Sequence, residues 1–158
     1  MNFENIFEVA ITVSDVVSTA LRLIDDSERR GGFFGLTIKG QDICVPIGDI
    51  PDKKRLKYYT LAREKIRQLE SHPLHRTSHQ SRDPDAIVEE MAWGKWGGGI
   101  RTDNGNLLSF SGLPELWDEA VVFVVAIKHG WLEKTSVLRR ISRKRNPHLR
   151  RLIIACRL

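Results

Sequence analysis

Residues 97–130, GGGIRTDNGNLLSFSGLPELWDEAVVFVVAIKHG, constrain the fold more than any other part of this chain. A glycine triplet leads into a short run through Thr102, and Asn104–Gly105 is a strong signal for a type I′ hairpin turn. A second run of strand-forming residues continues through Ser111. Pro114 then suits the first position of a helix, where its missing N–H costs nothing. Trp117, Ala120, Val121, Val124, Val125 and Ile127 make that helix apolar over much of its surface, which predicts the most buried helix of the fold, ended at Gly130. Strand, turn, strand, break and helix therefore follow from residue chemistry. The stretch holds no evident catalytic group.

The rest of the chain completes the pattern. Val16, Val17, Ala20, Leu23, Ile24 and Ser27 follow helical spacing and predict a helix over 14–30. Ser14 would cap it, Asp15 would sit in its first turn, Arg29 and Arg30 would suit its C-terminal end, and Gly31–Gly32 would stop it. Phe33–Lys39 and Ile43–Ile47 predict a hairpin about Gly40, with Pro46 placing the second strand at an edge because it cannot donate a ladder hydrogen bond. Leu56, Tyr59, Ala62, Arg63, Ile66 and Leu69 predict a helix over 52–70, with Lys53, Lys54, Arg55, Lys57, Arg63, Lys65 and Arg67 on its exposed face. Residues 71–86 are polar with two prolines and read as a loop. A short helix is expected over 85–92, and a fifth strand from Ile6–Val13 or from Met91–Trp96. Hairpins with helices between them predict an α+β domain, a single antiparallel sheet of roughly four to six strands packed by helices.

Charge divides the chain in two. The net charge is +5, yet residues 134–158 hold nine of the 25 basic residues and no acid, while residues 1–133 hold the other 16 and all 20 acids, a net of −4. This predicts a domain over 1–133 and a basic C-terminal tail over 134–158. No apolar run reaches the roughly 18 residues needed to cross a bilayer. The N-terminus has acids where a signal peptide has a basic region, so a soluble cytoplasmic protein is expected. Two distant thiols, Cys44 and Cys156, do not make a disulfide framework.

Four groups of residues invite a functional reading. His72, His75 and His79 form H-x2-H-x3-H, and neutral imidazole binds zinc, copper and haem iron; the same loop also reads as a solvated polar turn, so the metal question stays open. Gly98 and Gly99 would bring bare backbone close to a ligand, or carry Trp93 or Trp96 packed over them. Trp93 and Trp96 would line an apolar pocket or a core. In the tail, Arg139, Arg140, Arg143, Lys144, Arg145, Arg150 and Arg151 would contact nucleic-acid phosphates, although no aromatic residues are interleaved for base stacking. Asp103 reads as a turn residue and Asp118 as a helix-dipole partner. No Ser–His–Asp, paired-acid or Cys–His arrangement points to an enzyme.

The order of elements resembles the GlcG/HbpS-like, haem-binding-protein-like family, whose domains have a profilin-like or roadblock-like fold. The residues carrying the resemblance are Val13–Arg30, Gly32–Ile47, Tyr58–Leu69, Gly97–Ile100, Asn104–Gly105, Ser109–Gly112 and Trp117–Ala126, with Trp117–Asp118–Glu119–Ala120 standing where the family often has a polar residue, Asp, an acid and a small residue. The chain departs from the family at Ile100, where proline is frequent, and in its short Lys39–Asp42 turn. The resemblance implies a non-catalytic small-molecule-binding or sensory domain, with haem or a related tetrapyrrole as the possible cofactor, and assembly as a homo-oligomer. On this reading the ligand-binding set is His72, His75, His79, Trp93, Trp96, Gly98 and Gly99. The alternative is a nucleic-acid-associated protein that uses the tail and the basic face of residues 53–67.

Overall fold

A computed structural model describes residues 3–26, 28–80 and 97–158. The expected helix over 85–92, the possible strand Met91–Trp96, Ser27, and both Trp93 and Trp96 lie outside the described residues. The architecture is α+β: five helices on one open four-stranded antiparallel sheet. In chain order the elements are α1 (Phe3–Leu23), β1 (Gly31–Ile38), β2 (Gln41–Gly48), α2 (Asp52–Ser71), β3 (Gly99–Arg101), β4 (Leu107–Ser111), α3 (Glu115–Lys128), α4 (Lys134–Arg140) and α5 (Pro147–Ala155). The sheet order is β2–β1–β4–β3.

Side chains alternate between the two faces of the sheet, and each face has its own cover. Phe34, Leu36, Ile100, Leu108 and Phe110 join the main core with α1, α3 and α5. On the opposite face Phe33 packs with Tyr58 and Ala62, and Leu107 with Ile66 and Leu69, all four partners belonging to α2. Helix α2 comes close enough for the Ser109 hydroxyl to donate to the Ala62 carbonyl at 2.7 Å. Helix α3 is buried from Trp117 through Ala126, as its composition predicts.

Several elements differ from what the sequence predicts. The first helix begins at Phe3, not residue 14, and ends at Leu23. Val9, Val13, Val16, Val17 and Ala20 are all buried, one continuous stripe at helical spacing, so Ile6–Val13 is helix and not strand. Ser14 is therefore an exposed mid-helix residue, and Gly31–Gly32 open β1. Lys39 and Gly40 have φ of 50° and 75° and join Ile38 to its partner Gln41, so the two-residue turn with both central residues left-handed lies here. At Asn104–Gly105 only Gly105 has positive φ, at 85°. There the Gly105 N–H donates to Thr102 O and the Thr102 N–H to Asn106 O, a longer connection than the type I′ turn. Strand β2 lies at the sheet edge with Pro46, as expected.

The basic segment is folded. Residues 134–158 form α4 and α5, and Val137, Ile141, Leu149, Leu152 and Ile153 belong to the main core. Asn146 is the joint. Its side-chain oxygen accepts from the N–H groups of His148 (3.0 Å) and Leu149 (3.2 Å), capping α5 ahead of Pro147. Its amide nitrogen donates to Leu116 O (2.9 Å) and to Glu119 Oε1 (3.0 Å), which ties the cap to α3. Glu119 is fully buried and takes a second partner, Arg145 Nη2, at 2.7 Å. Trp117 stacks on His148 with ring centroids 4.3 Å apart, and Arg151 lies over the same indole.

Candidate functional site

A concavity of about 670 Å³ lies where α2, α3 and the segment before β1 meet. Its chemistry starts with two helices. Helices α2 and α3 open at Pro51 and Pro114, both of which line the cavity, and neither has a side-chain cap. Proline there fits the helix geometry but supplies no side-chain acceptor, so the first N–H groups keep their positive end of the helix dipole. Around the rim Lys53, Lys54 and Lys57 make no ion pair among the described residues. Arg29 is held on the rim by Tyr58 Oη (3.3 Å) and Gly112 O (3.2 Å), with Asp26 at 3.4 Å. Glu28 and Glu115 also line the wall, and Glu115 accepts the Gly97 N–H at 2.8 Å.

At the base of the cavity is a buried ion pair. Lys65 Nζ lies 2.9 Å from Asp118 Oδ2, with side chains 3% and 4% exposed. The ammonium also donates to Phe110 O at 2.6 Å, and Asp118 Oδ1 accepts the Leu113 N–H at 2.9 Å. Lys65 is thus not on the exposed face of α2. It follows Tyr58, Leu61 and Ala62 and precedes Ile66 and Leu69 on the buried stripe. Gly98 has φ of 111° and packs against the pair: a Cβ there would stand 2.8 Å from both Asp118 Cβ and Lys65 Nζ. Gly98 is a backbone wall for Lys65 and Asp118. Gly99 opens β3 and gives its N–H to Ser78 Oγ at 2.9 Å.

Burial pushes the Asp118 carboxyl up to about 6, against the opposing pull of Lys65 and of the Leu113 N–H. An unfolded aspartate titrates near 3.9, so the native state binds this proton more tightly. That contribution to stability is complete below about pH 4 and is lost as pH rises through about 6. We expect the stability of the wild type relative to Asp118→Asn, measured by urea unfolding, to be larger at pH 4.5 than at pH 7. Equal differences at the two pH values would show that the carboxyl is not shifted upward.

The histidines lie elsewhere. His72 and His75 stack with centroids 4.8 Å apart, and His72 Nδ1 bonds to Gln68 O at 2.8 Å. His72 is exposed, and His79 sits beside Gly97. Among the described residues no three His, Cys, Asp or Glu side chains are grouped to hold a metal ion, and no histidine lines the large cavity. Among the described residues the histidines make no haem pocket: exposed His72 stacks on half-buried His75, and no His, Cys or Met lines the large cavity.

The tail cations divide by role. Arg145 pairs with Glu119, Arg150 donates to the carbonyls of Ile141 and Leu138 at 3.0 Å each, and Arg151 covers Trp117. Arg139, Arg140, Arg143 and Lys144 are exposed. Burial raises the Cys44 thiol to about 11, so it is a poor nucleophile, and both cysteines are free. Among the described residues no helix is long and apolar enough to cross a membrane.

Sequence reasoning missed Arg29 and Tyr58, and it placed Lys53, Lys54, Lys57 and Lys65 together on an exposed basic face of 53–67, whereas Lys65 is buried at the base of the cavity. The spacing of Lys65 carried a usable signal, because it occupies a core position of α2. Arg29 carried none, since the two groups that hold it on the cavity, Tyr58 and Gly112, lie 29 and 83 residues away in sequence. Comparisons of the chain with protein-family models, with curated proteins and with solved structures each give no match.

Proposed function

We propose that this protein is a non-catalytic ligand-binding or sensory module of the GlcG/HbpS-like type, with profilin-like or roadblock-like layering, and that its ligand is a small anion. The β2–β1–β4–β3 order with helices on both faces supports the layering. The observation that carries the ligand class is the 670 Å³ cavity, where two uncapped helix N-termini converge with Lys53, Lys54 and Lys57. Such a site favours carboxylate or phosphate groups through N–H donors and the helix dipoles together. Lys65 and Asp118, the titratable pair at the base, are spent on each other and on backbone groups. That argues for binding over chemistry. Free thiols support a reducing, cytoplasmic setting. Phe7 and Ile11, 72% and 57% exposed on one face of α1, support self-association.

The nucleic-acid reading has weaker support, because Arg145, Arg150 and Arg151 are committed within the fold. The anion reading is tested by thermal unfolding in citrate and in inorganic phosphate, against sodium chloride of matched ionic strength. Ligand in hundredfold excess over its dissociation constant adds about 2.7 kcal/mol, so Tm should rise by several degrees. The double variant Lys54→Glu/Lys57→Glu should fold normally and lose that rise. An equal rise in chloride, or in the double variant, would defeat the proposal.

A further inference from the structure

A second concavity, of about 440 Å³, lies beside the β3 edge where the loop after α2 meets α3 and α4. It shares no lining residue with the first. Its volume is within the roughly 300–1,000 Å³ range of small-molecule sites. The apolar lining is Phe123, Leu132, Val137 and Ile141, none more than 8% exposed. Four guanidinium groups, of Arg76, Arg101, Arg140 and Arg145, share the wall, and among the described residues no carboxylate side chain lines it.

Two of those charges are balanced from outside the lining. Asp103 lies 3.4 Å from Arg76, with both side chains about half exposed, and Glu119 lies 2.7 Å from Arg145. The other two are not. Arg101 gives its N–H groups to the carbonyls of Leu69 and His75, which fix the guanidinium and leave its charge in place. Arg140 makes no ion pair among the described residues. Among the described residues the pocket therefore couples an apolar surface to two weakly hydrated cations without a carboxylate partner. Two polar groups of its wall add an independent sign. The Thr77 hydroxyl, in a residue 4% exposed, and Arg145 Nη1 are buried with no hydrogen-bond partner among the described residues. Unmet polar groups of this kind are costly, and an oxyanion held here would meet them.

We propose that this pocket is a separate binding site for amphipathic carboxylates, small molecules with one carboxylate on an aromatic or short aliphatic body. The body covers Phe123, Leu132, Val137 and Ile141, and the arginines take the carboxylate. The basic C-terminal segment supplies Arg140 and Arg145, so its charge completes a site on the domain surface.

The test uses the full-length protein labelled with ¹⁵N and titrated with 1-naphthoate, with 1-naphthalenemethanol as the uncharged control and acetate as the charge-only control. We expect saturable amide shifts centred on Thr77, Leu132, Val137 and Ile141 with 1-naphthoate, and much weaker binding of both controls. Arg140→Glu, at an exposed unpaired position, should keep the fold and weaken 1-naphthoate at least about tenfold. Arg140→Lys should retain most of the binding, and Lys54→Glu/Lys57→Glu should leave it unchanged. Absence of saturable shifts, equal binding of the alcohol, or an unaltered affinity in Arg140→Glu would overturn the proposal.

Discussion

Deleting residues 134–158 is expected to yield a chain that no longer folds cooperatively. The segment removes Val137, Ile141, Leu149, Leu152 and Ile153 from the core, each buried to within 8%. Burial of one such side chain stabilises by about 1.5–3 kcal/mol, against a total of about 5–15 kcal/mol for an ordinary domain. The deletion also strips Arg145 and Asn146 from Glu119, leaving a buried carboxylate with neither side-chain partner. Stripping one partner from a buried ion pair alone costs about 3–5 kcal/mol. Urea unfolding followed by near-ultraviolet circular dichroism checks this through the tryptophan bands. A truncated protein with a sharp transition and native-like tryptophan signal would show that the segment is dispensable.

Lys65→Met is expected to be the most damaging single substitution at the cavity, at about 3–5 kcal/mol near pH 7. It leaves Asp118 buried without its cation, holding only the Leu113 N–H. The loss should shrink as pH falls toward 5, because the carboxyl then becomes neutral. Removing both charges in Lys65→Met/Asp118→Leu should recover much of the stability, since a well-packed apolar pair of similar size is often no worse than a buried ion pair. Equilibrium urea unfolding of the three variants at two pH values measures all of this. A Lys65→Met protein within 1 kcal/mol of wild type would mean that the ion pair contributes little.

The parts of the fold that sequence made legible are those where local chemistry decides. Helix α3 announces itself through Pro114 and an apolar run, β2 through Pro46, and α2 through Ala62, Ile66 and Leu69, although Leu56, read on the same stripe, is exposed. The expected early boundary of the first helix failed because Ser14 and Asp15 resemble a cap while the stripe from Val9 already runs past them. Charge misled at the C-terminus. Arginines at 139–151 mark the segment as solvent-seeking, yet Leu149, Leu152 and Ile153 recur on one face and pin α5 to α3. The cavity was less legible still. Its pieces, Arg29, Lys54, Lys65 and Asp118, come from distant parts of the chain, and only the packing of α2 and α3 around the sheet end assembles them. In the histidine triplet, close spacing brings only two rings together: His72 and His75 stack on each other, and among the described residues no three ligand-type side chains are grouped.

The anion-binding account turns on where a small anion lands. Titrating ¹⁵N-labelled full-length protein with citrate at constant ionic strength locates it directly. The account predicts saturable shifts concentrated at the amides of Lys53, Lys54, Glu115 and Leu116, in the opening turns of α2 and α3, and their loss in Lys54→Glu/Lys57→Glu. Shifts spread over the exposed cations of residues 139–144 with none at those two helix starts would contradict it.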